Sequence, residues 1–197
     1  KKMTIEPVKR HAFFPPFLVL IVGIVFVEFL IRIGVVASFI LPAPSQVVQS
    51  LWLDRREIFV GASETFVSAF LGLFLSFLAG TLFAAVLSLS NWARRAFLPF
   101  AVFFQTVPII AIAPVLVIWF GFGRPTVVSA ACIVSVFPIV VNTLLGLESV
   151  ESTWLDLFRL YRASSLQILF KLRVPAALPQ IFSGLRIASG LAVVGAT

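Results

Sequence analysis

The sequence predicts an all-α fold, a polytopic transmembrane helical bundle with one water-facing amphipathic loop. Three observations carry that reading. Of the 197 residues 60% are hydrophobic and only 12% charged, and mean hydropathy is +1.12; a water-soluble domain is about 45–50% apolar and about 25% charged. The apolar residues fall into runs close to the roughly 20 needed to cross about 30 Å of hydrocarbon. The charges collect in short clusters between those runs, where they orient a membrane protein.

The same distribution excludes other classes. The net charge is +7, but the 15 Lys and Arg form no continuous stripe of the kind that tracks a nucleic acid. The single cysteine, Cys132, lies inside an apolar run, which leaves no disulfide framework, zinc cluster or CxxC pair. His11 sits in the basic N-terminal stretch without metal-ligand neighbours, so no metal site is expected. The first apolar run is too long, and lacks the small-residue cleavage site, for a secretory leader.

The elements follow in order. Residues 1–12 are polar and basic, and residues 13–40 make the first expected span. Glu28 and Arg32, four residues apart, share one helical face and are expected to pair. Leu41-Pro42-Ala43-Pro44-Ser45-Gln46 breaks the helix, and Ser45 is the expected N-cap of a short segment reaching Trp52. Asp54-Arg55-Arg56-Glu57 reads as a mixed-charge stretch in water. The second span, residues 65–89, is rich in small residues (Gly72, Ser76, Gly80, Ala84, Ala85) that let helices approach closely in lipid. The third, residues 98–122, contains Pro99, Pro108 and Pro114 and is expected to be kinked or locally opened.

Gly121-Phe122-Gly123-Arg124-Pro125 is a turn, and residues 126–147 form the fourth span, with Pro138 and Asn142 inside it. Residues 148–173 alternate charged with apolar positions. They predict one or two short amphipathic helices outside the bilayer, too polar to span and too apolar for a bare linker. Apolar character returns over residues 178–197, interrupted by Arg186. With the N-terminus in the cytoplasm, that side holds Lys1, Lys2, Lys9, Arg10, Arg94, Arg95, Arg159, Arg162, Lys171 and Arg173. The other side holds only Arg55, Arg56 and Arg124, a positive-inside bias that puts the amphipathic loop in the cytoplasm.

Such a loop either lies along the lipid surface or offers its apolar face to a soluble partner. Its residues favour the partner. Tyr161-Arg162-Ala163-Ser164, then Leu172-Arg173-Val174-Pro175 and Gly184-Leu185-Arg186-Ile187-Ala188, resemble the signature loop of ABC importer permeases. That loop reads EAA, three residues, G, nine residues, then I-x-LP. Asp156-Leu157-Phe158 takes the EAA place, Arg162 the glycine and Leu172-x-Val174-Pro175 the end. Leu41-Pro42-Ala43-Pro44-Ser45-Gln46-Val47, the stretch from Pro108 to Gly123, and Phe137-Pro138 through Thr143 are similar to the nitrate/sulfonate/taurine branch of those permeases.

The resemblance implies a permease subunit in the inner membrane of a prokaryote, working with a second copy or a homologue. It also implies cytoplasmic ATPase subunits and an extracytoplasmic substrate-binding protein. No GxxxxGK[ST] phosphate loop is present, so ATP and Mg are expected in the partner ATPase and no cofactor or enzymatic step in this chain. Asp156, Leu157, Phe158, Arg159, Arg162, Ala163 and Ser164 become the expected ATPase-docking residues. Gln105, Thr106, Pro108, Ser135, Asn142 and Arg186 are the candidates for a translocation path, against a plainer role in helix–helix hydrogen bonding. Arg162 removes the residue best suited to a positive φ, which predicts a reshaped turn or an arginine reaching an acidic partner. Permeases of this family continue for at least one further span, so a longer protein is expected. Two other readings stay open on the residues alone, a membrane scaffold that recruits a cytoplasmic protein and an ion-coupled carrier. For the carrier, Glu28 is the available embedded acid.

Overall fold

The computed structural model describes residues 14–37 and 39–197. The basic stretch with His11, and Phe13 at the start of the first expected span, lie outside the described residues. Every regular element among the described residues is helical, as the sequence predicts. The chain divides into two compact units, Lys1–Gly61 and Ala62–Thr197.

In the first unit, α1 (Phe14–Arg32) ends eight residues before the expected limit at residue 40. The reason is Gly34, at φ 78°. Its N–H donates to the Ile31 carbonyl, and the Val35 N–H donates to that of Leu30. This pair of bonds is the Schellman ending, which satisfies the last carbonyls of the helix and needs a left-handed residue. The apolar run continues to Leu41, but the helix does not.

A second correction concerns α2 (Pro44–Leu53). Its N-cap is Ala43, not Ser45, with Pro44 in the first turn. There a missing N–H costs nothing. The Ala43 N–H donates to Gln46 Oε1 at 3.0 Å. Ser45 instead delivers its backbone N–H to Glu28 Oε2 (3.0 Å) and its hydroxyl to Oε1 (2.8 Å). Arg32 Nε donates to the same Oε1 at 2.7 Å. The expected Glu28–Arg32 pair therefore exists, and its carboxylate also supplies the negative charge that a helix N-terminus favours.

Helix α3 (Arg55–Ser88) begins ten residues before the expected second span and takes in the charged stretch from Arg55 to Glu57. At about 1.5 Å per residue, its 34 residues reach roughly 50 Å, well beyond the hydrocarbon thickness. Of the two expectations for residues 98–122, kinked or locally opened, the second holds. These residues are divided between α4 (Asn91–Gln105) and α5 (Ile109–Phe120), bent by 98°. Pro108 has no N–H to give the Phe104 carbonyl and pushes Val107 out of helical geometry. Thr106 closes α4, its N–H and hydroxyl both donating to the Phe103 carbonyl.

The turn at residues 121–123 uses Gly121 and Gly123 at positive φ, and the Thr126 hydroxyl donates to the Gly121 carbonyl. Then comes α6 (Arg124–Glu148), close to its expected bounds. The amphipathic loop contains α7 (Ser152–Leu160) and α8 (Ser165–Ile168). A π turn over Leu169–Arg173 joins α8 to α9 (Val174–Gly195). The last helix thus starts at Ser165, 13 residues before the expected limit. Its π turn, closed by Val174 N–H to Leu169 O, absorbs the irregularity that Pro175 imposes by lacking a donor.

Helix α6 is the centre of the second unit. Along α3 the buried positions include Ser68, Ala69, Gly72, Ser76, Gly80 and Ala84. A Cβ on Gly72 would lie 2.6 Å from that of Ala131, and one on Gly80 would lie 3.0 Å from Ile139. On the other flank α9 runs antiparallel to α6 through Ala177, Gly184, Ala188 and Ala192. Here Gly146 approaches Gln180 and Ala177, and Gly184 approaches Asn142. Phe66, Phe70, Phe74, Leu78 and Leu82 point outward, the arrangement expected where lipid is the solvent and small residues form the contact.

Gly146→Val should break this seam, because its Cβ would lie 2.9 Å from the Ala177 Cβ and 3.0 Å from its Cα. Overpacking of this kind costs about 1–3 kcal/mol. Thermal unfolding in detergent should show a clear drop for that variant and none for Gly61→Ala, whose new methyl meets nothing within 4 Å. Equal unfolding temperatures would refute the close-packed seam.

Candidate functional site

Two regions carry the candidate residues, the α7–α8 loop and the polar positions on α4, α5, α6 and α9. In the loop, α7 ends as α1 does. The Arg162 N–H donates to the Arg159 carbonyl and the Ala163 N–H to that of Phe158, again the Schellman pair. Arg162 occupies its left-handed position at φ 52°, the one non-glycine residue at positive φ among the described residues. The expected reshaping does not occur. The glycine geometry is kept, at a local cost of about 1–2 kcal/mol for a residue bearing a Cβ.

Ser164 then opens α8 with a reciprocal cap. Its hydroxyl accepts the Gln167 N–H (3.3 Å), and its own N–H donates to Gln167 Oε1 (2.8 Å). Back-to-back stop and start signals thereby fix the angle between α7 and α8. On α7, Asp156 and Arg159 pair at 3.1 Å while both remain largely in water, a contact of small energetic weight. Phe158 and Ala163 are half-buried, and Leu157 is exposed with Trp154, Leu160 and Tyr161. A shallow groove along Ser152, Trp154, Asp156, Leu157 and Leu160, of about 450 Å³, opens on that apolar side.

Two arginines that the sequence placed only on the cytoplasmic side join helix ends beside the loop. Arg173 Nη1 donates to the Ser88 carbonyl at 3.0 Å, placing a cation at the C-terminal end of α3, where the helix dipole favours it. Arg94, in the first turn of α4, pairs with Glu148 at the last residue of α6. Each of those charges opposes the dipole of its own helix, and the pairing offsets both. A spacing rule could not have found this contact, because the partners are 54 residues apart.

The path candidates separate by environment. Ser135 is fully buried, its hydroxyl donating to the Ala188 carbonyl at 3.2 Å across the α6–α9 seam. Asn142 Nδ2 donates to the Pro138 carbonyl at 2.8 Å, with Gly184 against its Cβ. Both act within the packing. Gln105, Thr106 and Pro108 are exposed at the α4–α5 break.

Arg186 is also exposed and makes no ion pair among the described residues. Two residues from each of its buried neighbours Gly184 and Ala188, it lies on the far side of α9, since residues advance about 100° each. Gly184 is level with Pro138 and Asn142, and Ala188 with Ser135. Arg186 therefore stands within a turn of the midpoint of α6. An arginine at that depth costs about 2.5–3.5 kcal/mol against lipid and belongs where protein or water faces it.

Among the described residues, three helices long and apolar enough to cross a membrane, and a fourth if the bent α4–α5 pair is one span, define a polytopic membrane component. Residues 72–197 match the family described as binding-protein-dependent transport system inner membrane component. The chain belongs to that family. A probable ABC transporter permease protein of Haemophilus influenzae is 36% identical over 179 residues, covering 90% of this chain and 73% of its own. The formylaminopyrimidine transport permease protein of Halalkalibacterium halodurans is 36% identical over 159 residues, 80% of this chain and 64% of its own. The taurine transport system permease protein of Escherichia coli is 27% identical over 164 residues, 79% of this chain and 59% of its own.

The kept left-handed turn makes a sharp prediction. Arg162→Gly should slow amide hydrogen exchange at residues 161–163 by relieving the Cβ clash, and Arg162→Val should speed it. Exchange rates that rank the other way would mean the turn does not persist in solution.

Proposed function

We propose that this chain is the permease subunit of an ATP-driven importer, with its amphipathic loop docking onto cytoplasmic ATPase subunits. The observation that carries the reading is the α7–turn–α8 unit. It pairs an exposed apolar side (Trp154, Leu157, Leu160) with a rigid connection to the ends of α3 and α9. A helix that offers such a side to a groove is a standard mode of protein recognition. A firm tether is what would carry a push from the partner into the bundle. Asp156, Leu157, Phe158, Arg159, Arg162, Ala163 and Ser164 form the docking face, and the positive-inside count puts it in the cytoplasm with the N-terminus.

In this reading two permease subunits enclose the path, an extracytoplasmic binding protein delivers the substrate, and ATP and Mg act in the ATPase subunits. ATP binding and hydrolysis there switch the spans between inward-open and outward-open forms. Arg186, at mid-depth and unpaired, faces the path. Gln105, Thr106 and Pro108 line it where broken helices frame a site. The substrate class is small polar or anionic molecules, in keeping with relatives named for formylaminopyrimidine, taurine and nitrate transport.

Co-purification tests the docking face. Wild type should retain the ATPase subunit in detergent, and a version with residues 156–164 replaced by a neutral linker should lose it while still entering the membrane. Equal retention would return the loop to the lipid surface and favour the scaffold reading.

Transport in vesicles tests Arg186. Losing a charge-assisted contact worth about 1.5–3 kcal/mol should raise the half-saturating substrate concentration roughly tenfold or more in Arg186→Gln, and less in Arg186→Lys. An unaltered value in both would exclude direct substrate contact.

A further inference from the structure

Between the loop and the end of α3 lies a small cleft of about 140 Å³, lined by Ser88, Leu89, Leu155, Arg159, Ser165, Ile168 and Arg173. We infer that this cleft binds the phosphate of an acidic phospholipid headgroup in the leaflet that meets the loop. Three observations carry the inference.

First, the cleft holds donors in excess of acceptors. Arg173 spends one Nη1 bond on the Ser88 carbonyl, while its Nε is buried with no hydrogen-bond partner. Buried side-chain donors nearly always have a partner, and a guanidinium offers the flat fork that matches a phosphate. Arg159 lines the same cleft from the α7 side, and Asp156, its partner at 3.1 Å, is mostly in water and does not line the cleft. Ser165, exposed, also lines the cleft. Of the other acids near the loop, Glu148 is held by Arg94, and Glu151, at the N-cap of α7, does not line the cleft.

Second, the cleft has an apolar side. Leu89 is exposed in its lining and Leu155 and Ile168 are half-buried there, which suits an acyl chain better than a soluble ion. Third, the cleft lies where α3 ends and the last helix begins, the depth at which headgroups sit. Basic pockets between spans at that level are common headgroup sites. The occupant would bridge α7, α3 and α9, and would stabilise the same junction that Arg173 makes directly.

The test uses the full chain in nanodiscs of equal phosphatidylglycerol and phosphatidylcholine, with retained lipids counted by native mass spectrometry. Wild type should retain the acidic lipid over the zwitterionic one by about tenfold, the scale expected for one or two arginines at a membrane surface. Arg173→Gln should abolish that preference, and Arg95→Gln, an equal charge change on exposed α4 surface, should keep it. If Arg173→Gln does not fold, Ser165→Asp decides, since it places a negative charge at the rim and leaves the Ser88 contact intact. No preference in wild type overturns the inference. So does an equal loss in Arg95→Gln, which would mean diffuse attraction. Full displacement of the lipid by excess inorganic phosphate would mean a free-anion site and also overturns it.

Discussion

The close approach of three helix backbones along α6 is the constraint on which the rest of the second unit depends. In lipid no hydrophobic force drives one apolar helix onto another, so association rests on van der Waals contact and a few hydrogen bonds. Contact is maximal only where side chains are nearly absent. The stripes Gly72, Ser76, Gly80 and Ala84 on α3 and Ala177, Gly184, Ala188 and Ala192 on α9 meet that need. They receive α6 from both flanks. The Ser135 hydroxyl then locks the register of α6 and α9 by one buried bond, and that register sets the depth of every polar residue on α9, Arg186 included.

Helix ends decide how the loop joins this seam. Four helix ends meet at the loop side of the bundle, and their dipoles would leave two of the charges there in unfavourable positions. Arg94 at the start of α4 and Glu148 at the end of α6 are each wrong for their own helix and right for each other. Arg173 at the end of α3 needs no such rescue. The two contacts hold α3, α4, α6 and the last helix together next to α7. Helix α7 joins this junction through the Arg162 turn and α8, which runs on through the π turn into the last helix.

Most of the fold was legible because its signals are local and periodic. The apolar runs gave most of the helices, the small residues of 65–89 gave the contact face of α3, and the break in hydropathy at residue 148 gave the end of α6. What was missed was decided by backbone termination, which hydropathy does not report. Gly34 ends α1 although apolar residues continue, and its glycine at a C-terminal position was the available clue. Of the prolines in residues 98–122, only Pro108 divides the helix, where the Val107 N–H takes over the Phe104 carbonyl that Pro108 cannot serve and Thr106 closes on Phe103. Ser45 looked like a cap, but the distant Glu28 claimed both of its donors. The Arg94–Glu148 and Arg173–Ser88 contacts join residues 54 and 85 apart, and no spacing rule reaches that far.

Arg162 and Arg186 show how the same residue type resolves in two environments. At Arg162 the strain is conformational. A left-handed φ is imposed by the Schellman bonds of α7, and the turn tolerates a side chain because that side chain projects into water and meets no packing. At Arg186 the strain is dielectric. The backbone is regular helix and the side chain makes no ion pair among the described residues, but the depth set by the Ser135–Ala188 bond makes lipid a costly neighbour. Small residues fill one side of α9 because α6 must touch it. The opposite side carries Ser183, Arg186 and Ser189 among the exposed Phe182 and Ile187, so it is mixed and holds one charge at the same depth. A span with one face built for a helix and an arginine on the other needs protein or water beside that arginine, so its second face is not a plain lipid face.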